Sequence, residues 1–283
     1  MARSKRHHFL AESYQKNFAA PMFSDTIRVF DFDDGRWNAE RRTPNGIGYE
    51  TDLYAVPGPA EGKVSDEYET KFFKQRDAEF LQPMRKAATP EGCLSLDIKE
   101  QIHVARCISY LVSRNPQTME VLRRGLSAPN TDVWQYLNAE ERDLANALQQ
   151  DPNHRQAKLR FNKFVLDGLG KRADARVAEL FGMTWKFIKT TPDAPFITSD
   201  FPAYAETSNN QTVYSCPISS LVSVVIASAP RLKYVPPVAS YEDVRQINRQ
   251  TFSRAREFII CCRDDFPGFE DLQRRFAARK SPC

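Results

Sequence analysis

The 283-residue sequence contains only 11 glycines, and it has neither a P-loop nor a GxGxxG motif. Both motifs use glycine backbone to surround phosphate, so their absence argues against the common nucleotide-binding folds. The signatures of serine hydrolases (GxSxG), zinc proteases (HExxH) and EF-hand loops are also absent. Any reaction that the chain performs must therefore use other residues.

Long apolar segments are missing as well. The most apolar run, 221–229, has the length of a strand, whereas a membrane-spanning helix needs about 18 apolar residues. Residues 1–8 are basic but are not followed by the apolar segment of a secretory signal. We expect no membrane association and a cytoplasmic location.

The six cysteines show no CxxC spacing, so the sequence predicts neither a disulfide scaffold nor a zinc site. Buried free thiols are the favoured interpretation. The composition is otherwise ordinary for a globular protein, with 41% hydrophobic and 27% charged residues. A net charge of +4 neither requires nor excludes nucleic acid as a partner. The basic clusters, such as Arg123-Arg124, are typical of a solvated surface, and a phosphate-facing patch is the alternative.

Hydrophobic periodicity predicts an α+β fold in which a helical middle region packs against a mixed or antiparallel sheet built from N- and C-terminal strands. We expect one domain over residues 1–283, mainly helical over 65–182 and mainly β over 184–262. Glycines at 168 and 170 predict a break in the long helical region 153–182. Residues 232–235 are predicted to form a strand.

Two adjacent histidines, His7 and His8, precede an aromatic segment. A disordered terminus would explain such a pair, whereas a histidine held near acidic groups is suited to proton transfer or metal binding.

One face of the predicted helix 97–114 carries His103, Cys107, Tyr110 and Arg114. A polar helix face usually meets solvent, but cysteine and tyrosine would also suit a pocket wall.

A third polar cluster, Thr198-Ser199-Asp200, follows the apolar residues Phe196 and Ile197. Catalytic residues often lie where a buried strand opens into a loop. The structural alternative is a local turn in which Asp200 accepts hydrogen bonds from backbone amides.

The sequence resembles the bacterial domain-of-unknown-function family 4238 from residue 7 to about residue 262. The motifs that carry the resemblance are His7-His8-Phe9-Leu10 with Tyr14 and Phe18, Arg114-Asn115-Pro116, and Ile197-Thr198-Ser199-Asp200-Phe201-Pro202. Further matching stretches are 48–54 and 216–219, together with Asn248 and Ala255-Arg256. The resemblance implies a set of positions rather than a reaction. Because most of these positions are polar, they indicate side chains that converge in one cleft.

The leading hypothesis is an intracellular hydrolase of a phosphodiester or nucleotide, of the kind found in RNase-like toxins or defence effectors. His8, assisted by His7, would be the general acid/base or a metal ligand, Asp200 would orient the histidine or bind the metal, and Glu69 would add a carboxylate. Arg114 would stabilise the phosphate oxyanion. The expected substrate-binding residues are Tyr110, Ser199 and Asn248.

Two alternatives remain. The same polar cluster could form a non-catalytic recognition or anion-binding module, or His7, His8 and Asp200 could hold a structural metal. The sequence assigns no cofactor and no oligomeric state, and nucleic acid or a nucleotide is the expected partner.

Overall fold

A computed structural model describes residues 6–32, 36–37, 41–60, 63–127, 138–151, 154–208 and 211–280 of the chain. Within these ranges it contains helices and antiparallel sheets, which confirms the predicted α+β class. The strands are β1 (Arg6–His8), β2 (Arg28–Asp31), β3 (Arg36–Trp37), β4 (Tyr49–Thr51), β5 (Val56–Pro57), β6 (Val64–Ser65), β7 (Thr184–Lys189), β8 (Thr198–Ser199), β9 (Tyr204–Ser208), β10 (Gln211–Pro217), β11 (Val222–Ala227) and β12 (Phe258–Cys261).

Two four-stranded antiparallel sheets contain most of the strands. One has the order β7-β11-β10-β9 and comes entirely from the C-terminal half. The other, β3-β2-β12-β8, joins both ends of the chain, because β12 pairs with β2 on one side and with β8 on the other. The smaller ladders β1-β4 and β5-β6 lie outside these sheets. Only the second sheet therefore combines N- and C-terminal strands in the way that the sequence predicted.

The helices occupy mainly the middle of the chain. They are α1 (Glu12–Gln15), α2 (Lys74–Ala87), α3 (Ile98–Ser113), α4 (Pro116–Ser127), α5 (Ala139–Gln150), α6 (Arg155–Phe181), α7 (Ala229–Leu232), α8 (Tyr241–Arg254) and α9 (Phe269–Lys280). A π-helical segment, Tyr68–Phe73, leads directly into α2. Asp97 begins α3 with a capping box, since it accepts a hydrogen bond from the Glu100 amide while the Glu100 carboxylate accepts one from the Asp97 amide.

Two local expectations were wrong. Helix α6 continues through Gly168 and Gly170 without a break. A helical glycine costs about 1 kcal/mol relative to alanine, and the burial of Leu166 and Leu169 outweighs that cost. The predicted strand at 232–235 is also absent, because α7 begins just before it with a proline near its N-terminus.

The main hydrophobic core connects the helical region to the sheets. It contains Phe73 of the π-helical segment, Ile108 of α3, Leu169 of α6, Val224 of β11 and Ile260 of β12. No helix among the described residues is long and apolar enough to cross a membrane. The described cysteines are free thiols, and four of them are buried, as the spacing predicted; Cys283 lies outside the described residues.

Candidate functional site

The two adjacent histidines point in opposite directions from strand β1. Side chains alternate along a strand, so His7 enters the core while His8 faces outward. His7 is fully buried, and its Nδ1 accepts a hydrogen bond of 2.7 Å from the Tyr54 amide. The two rings also stack, with centroids 5.8 Å apart. His7 therefore fixes the segment around Tyr54, whereas His8 is left to face solvent.

His8 is held against Glu69 by two contacts. The His8 amide donates a hydrogen bond to Glu69 Oε1 at 3.1 Å, and the imidazole Nδ1 lies 3.5 Å from the same oxygen. The other ring nitrogen, Nε2, lies 3.4 Å from the carbonyl oxygen of Asn45. Both ring nitrogens thus face acceptors, an arrangement that suits the doubly protonated imidazolium.

The pKa of His8 is raised above its ordinary value, chiefly by the hydrogen bond to Glu69; burial acts in the opposite direction but is outweighed. Glu69 Oε2 is buried and has no hydrogen-bond partner among the described residues. The Glu69 charge is consequently balanced mainly by His8, which favours an ion pair.

An open cavity of about 680 Å³ lies in front of this pair. Its walls come from β1, α1, the π-helical segment and α2. The charged residues that line it are the cations Arg6, Lys16, Lys74 and Arg85 and the carboxylates Glu12, Glu69 and Asp77, with His8 between them. Four cations against three carboxylates already give the lining a positive excess, and protonation of His8 increases it.

Arg114 lies behind the cavity wall and is almost completely buried. Its Nε donates to the carbonyl oxygen of Phe9 at 2.9 Å, and its Nη1 donates to Asp77 Oδ1 at 2.9 Å. The guanidinium also lies 5.5 Å from the centroid of the Phe73 ring. Arg114 thus connects the residue after His8 to a carboxylate of α2, and it does not line the cavity as an oxyanion-binding group would.

Asp77 is the partner of Arg114 and also borders the cavity. Burial raises the pKa of the Asp77 carboxyl, and the charge of Arg114 opposes that effect without cancelling it. A carboxylate with a raised pKa is a stronger base than one in water.

The polar face predicted on helix 97–114 does not line the cavity, and of its four residues only His103 is partly exposed to solvent. Tyr110 and Cys107 are buried, and the Tyr110 ring packs 5.8 Å from both Phe72 and Phe80. His103 lies against Phe80 in the same interface. This face packs against the π-helical segment and α2, so Tyr110 has no position from which to bind a ligand in the cavity.

Ser199 and Asn248 hold loops in place, and neither lines the cavity. Ser199 Oγ accepts a hydrogen bond from the Phe201 amide at 3.1 Å. Asn248 accepts from the Ile197 amide and donates to two proline carbonyl oxygens, those of Pro195 and Pro267. These contacts indicate that both side chains fix the local backbone geometry. None of the contacts supports a role in binding substrate.

Asp200 also serves as a tether. Both of its carboxylate oxygens accept from the Arg256 amide, at 3.1 and 3.2 Å, and Gln117 donates to Oδ2 at 3.4 Å. The Asn115 side chain donates to its backbone carbonyl oxygen. Asp200 does not contact His8; Glu69 occupies the position beside the imidazole that was expected for Asp200. The bond to Arg256 also differs from a local turn, because it spans 56 residues of sequence.

The metal-site alternative was wrong in its choice of ligands. His7 accepts from Tyr54 and Asp200 accepts from Arg256, so neither is directed to a site shared with His8. In the part of the chain that the structure describes, no group of three His, Cys, Asp or Glu side chains could hold a metal ion. The side chains of Arg123 and Arg124, expected to be surface charges, lie outside the described residues.

Sequence reasoning missed Lys74, Asp77 and Arg85. The signal was present in the amphipathic pattern of α2. Its core-facing stripe, which includes Phe80 and Met84, implies that the rest of the helix surface is largely polar, and the part of that surface beside the stripe lines the cavity. The π-helical turn that carries Glu69 gave no comparable signal, although such turns are frequent at functional sites.

Asp200→Asn is expected to change stability rather than activity. Burial raises the pKa of Asp200 from 3.8 to about 6, so the folded state binds a proton more tightly than the unfolded state does. The wild-type free energy of unfolding should therefore fall as the pH rises from about 4 to about 6, by about 3 kcal/mol at most. The substitution should abolish this fall, since asparagine cannot ionise and retains one acceptor for the Arg256 amide.

Urea denaturation at about pH 4 and about pH 7 tests this expectation. Asp193→Asn is the matched control, because Asp193 is an exposed aspartate near the same strand. An Asp200→Asn protein that is less stable than wild type at both pH values would instead identify the carboxylate as a stabilising anchor.

The comparison with protein-family models bears out the family that the sequence resembles. The family model described as "Protein of unknown function (DUF4238)" matches residues 6–265. The chain belongs to this family. The matched region contains every residue that lines the cavity. The comparison with curated proteins and the comparison with solved structures gave no match.

Proposed function

We propose that this DUF4238 protein is a hydrolase that cleaves a phosphodiester in the cavity in front of His8. The observation that carries the proposal is the His8–Glu69 pair, which opens onto a cavity lined by four cationic side chains. A histidine with a carboxylate partner is suited to proton transfer, and cations attract a phosphate and stabilise the charge that develops on it.

The directions of the two pKa shifts support the two proton-transfer roles. His8 has a raised pKa and so is the acid, which gives its proton to the departing oxygen as the phosphorus–oxygen bond breaks. Asp77 has a raised pKa for a carboxylate and is the base, which takes a proton from the attacking water as the new phosphorus–oxygen bond forms. Glu69 stabilises the imidazolium, while Arg114 positions Asp77.

The cationic side chains have a separate role. Lys16 is held by Asp25 at 2.6 Å, and Arg6 lies over the Tyr49 ring at 4.8 Å from its centroid. These contacts position two of the four cations at the cavity, where they would bind phosphate oxygens. The five described free thiols agree with the predicted cytoplasmic location. The bacterial origin and the toxin or defence role remain predictions.

The direct test is hydrolysis of RNA, DNA and bis(p-nitrophenyl) phosphate by the purified full chain, with and without added divalent cations. We expect the wild-type protein to hydrolyse at least one of these substrates, and we expect His8→Gln to lose this activity. Absence of hydrolysis with every substrate and cation would contradict the proposal.

A non-catalytic anion site is the second candidate, and it has an observation in its favour. Both ring nitrogens of His8 already face acceptors, so the imidazolium could act as a fixed charge. Tight binding of nucleotides or inorganic phosphate without turnover would support this function over hydrolysis.

Glu69→Gln is expected to narrow the pH range of activity. Because the acid form of His8 is required, kcat/KM should fall as the pH rises above the pKa of His8. Glutamine removes the charge that raises this pKa, so the alkaline limb of the profile should move to lower pH. The measurement is kcat/KM across the pH range for both proteins.

Glu79→Gln provides the control for this profile. Glu79 is a carboxylate of α2 that pairs with Arg76 and does not line the cavity. Its variant should keep the wild-type profile. If the alkaline limb of the Glu69→Gln profile stays at the wild-type pH, a group other than His8 supplies the proton.

A further inference from the structure

Two basic side chains of the cavity lining lie along one face of α2. Lys74 and Arg85 both line the cavity and lie 11 positions apart in the same helix. Eleven residues at 100° each bring two side chains to nearly the same face, and the rise of about 1.5 Å per residue separates them by about 16 Å. That distance exceeds the size of one phosphate group.

The positive charge on this face is not neutralised by the cavity's own carboxylates. Glu69 is paired with His8, and Asp77 is paired with Arg114. The third carboxylate, Glu12, lies within ion-pair distance of neither Lys74 nor Arg85. Among the described residues, neither Lys74 nor Arg85 has a carboxylate within ion-pair distance; Arg85 lies instead over the Phe23 ring at 5.8 Å from its centroid. Both cations are therefore available to an anionic ligand.

An aromatic side chain outside the cavity lining contacts two of the lining residues, His8 and Arg6. Tyr49 stands opposite His8 in the β1-β4 ladder, and their ring centroids are 5.8 Å apart. The half-exposed Tyr49 ring also carries the Arg6 guanidinium on one face. Planar groups of this kind, beside a basic groove, are the usual means of stacking unpaired bases.

We propose that the cavity binds single-stranded nucleic acid, with two separate, non-adjacent phosphates at Lys74 and Arg85 and one base on the Tyr49–Arg6 stack. A single strand is favoured over a duplex because duplex bases are stacked on each other and cannot reach Tyr49. In this arrangement, one phosphodiester of the strand lies at His8. Cleavage of that phosphodiester rests on the proposed function, whereas binding of the strand does not.

Binding of a fluorescent single strand of roughly 12 nucleotides, as RNA and as DNA, tests the proposal. His8→Gln serves as the background, so that the strand is not cleaved. The logarithm of the binding constant should fall linearly with the logarithm of the salt concentration. Lys74→Gln and Arg85→Gln should each reduce the steepness of that line by about 0.7.

Tyr49→Leu should weaken binding roughly 5- to 150-fold at fixed salt. Its thermal unfolding is measured in parallel, and Arg6→Gln gives a second variant of the stack that leaves the strand pairing intact. Lys171→Gln, at an exposed position of α6 outside the cavity, is the control and should leave the salt dependence unchanged. The proposal is overturned if the strand binds no tighter than a nucleoside monophosphate, or if all variants share one salt dependence.

Different results would contradict the hydrolase proposal and the strand-binding proposal. Salt-dependent strand binding by a wild-type protein that cleaves nothing would support the strand-binding surface and contradict the hydrolase. Cleavage of a dinucleotide without measurable binding of longer strands would do the reverse.

Discussion

His8→Gln is expected to lower kcat/KM for a phosphodiester by roughly 10²–10⁴, the usual contribution of a general acid or base. Glutamine can still donate a hydrogen bond but cannot deliver a proton or carry the positive charge that Glu69 stabilises. The fold should persist, because His8 is partly exposed, unlike the fully buried His7.

His103→Gln is the matched control for this experiment. His103 is also partly buried, but it lies at the α2–α3 interface and not at the cavity. Steady-state kinetics and thermal unfolding on the same preparations separate loss of chemistry from loss of structure. Equal activity of the two variants would remove His8 from the mechanism.

Arg114→Met is expected to lower the free energy of unfolding by about 3–5 kcal/mol. Methionine fills much of the same space, but it leaves the Asp77 carboxylate and the Phe9 carbonyl oxygen without their donor. We expect the decrease in the free energy of unfolding to lie near the lower end of this range, because Asp77 borders the cavity and water can partly replace the guanidinium.

The surface control is Arg160→Met. Arg160 pairs with Glu140 at 3.3 Å, both side chains are exposed, and such a pair contributes about 0–1 kcal/mol. The double variant Arg114→Met with Asp77→Asn should recover part of the loss, because the uncompensated carboxylate is gone. Urea denaturation gives the free energy of unfolding of the wild type, the two single variants and the double variant. If Arg114→Met loses no more of this free energy than Arg160→Met does, the structural role of Arg114 is contradicted.

His8 and Glu69 are two sequence candidates that the structure brings into contact. Both were selected from the sequence as catalytic candidates, and the structure places them in contact across 61 residues. Their chemical types indicated what they could do, but no periodicity relates positions so far apart. Their pairing depends on the packing of β1 against the π-helical segment.

Asp200, Ser199 and Asn248 show the opposite outcome. Their polar character suggested a cleft, yet their contacts are with backbone groups, those of distant segments for Asp200 and Asn248 and that of nearby Phe201 for Ser199. A buried loop must satisfy its backbone hydrogen-bonding groups, and polar side chains do this in the same way whether or not a ligand is near. A polar motif in a sequence therefore cannot distinguish a tether from a binding residue.

The sequence by itself determined the α+β class, most helix and strand positions, the free thiols and the family, since these follow from local periodicity, cysteine spacing and motif order. Only the tertiary structure decided which polar residues meet. It placed His8, Glu69 and Asp77 at one cavity, with Arg114 behind the wall, and it kept Asp200 outside that cavity's lining. The physical reason is that local propensity acts over a few residues, whereas burial and hydrogen-bond satisfaction are properties of the whole packed chain.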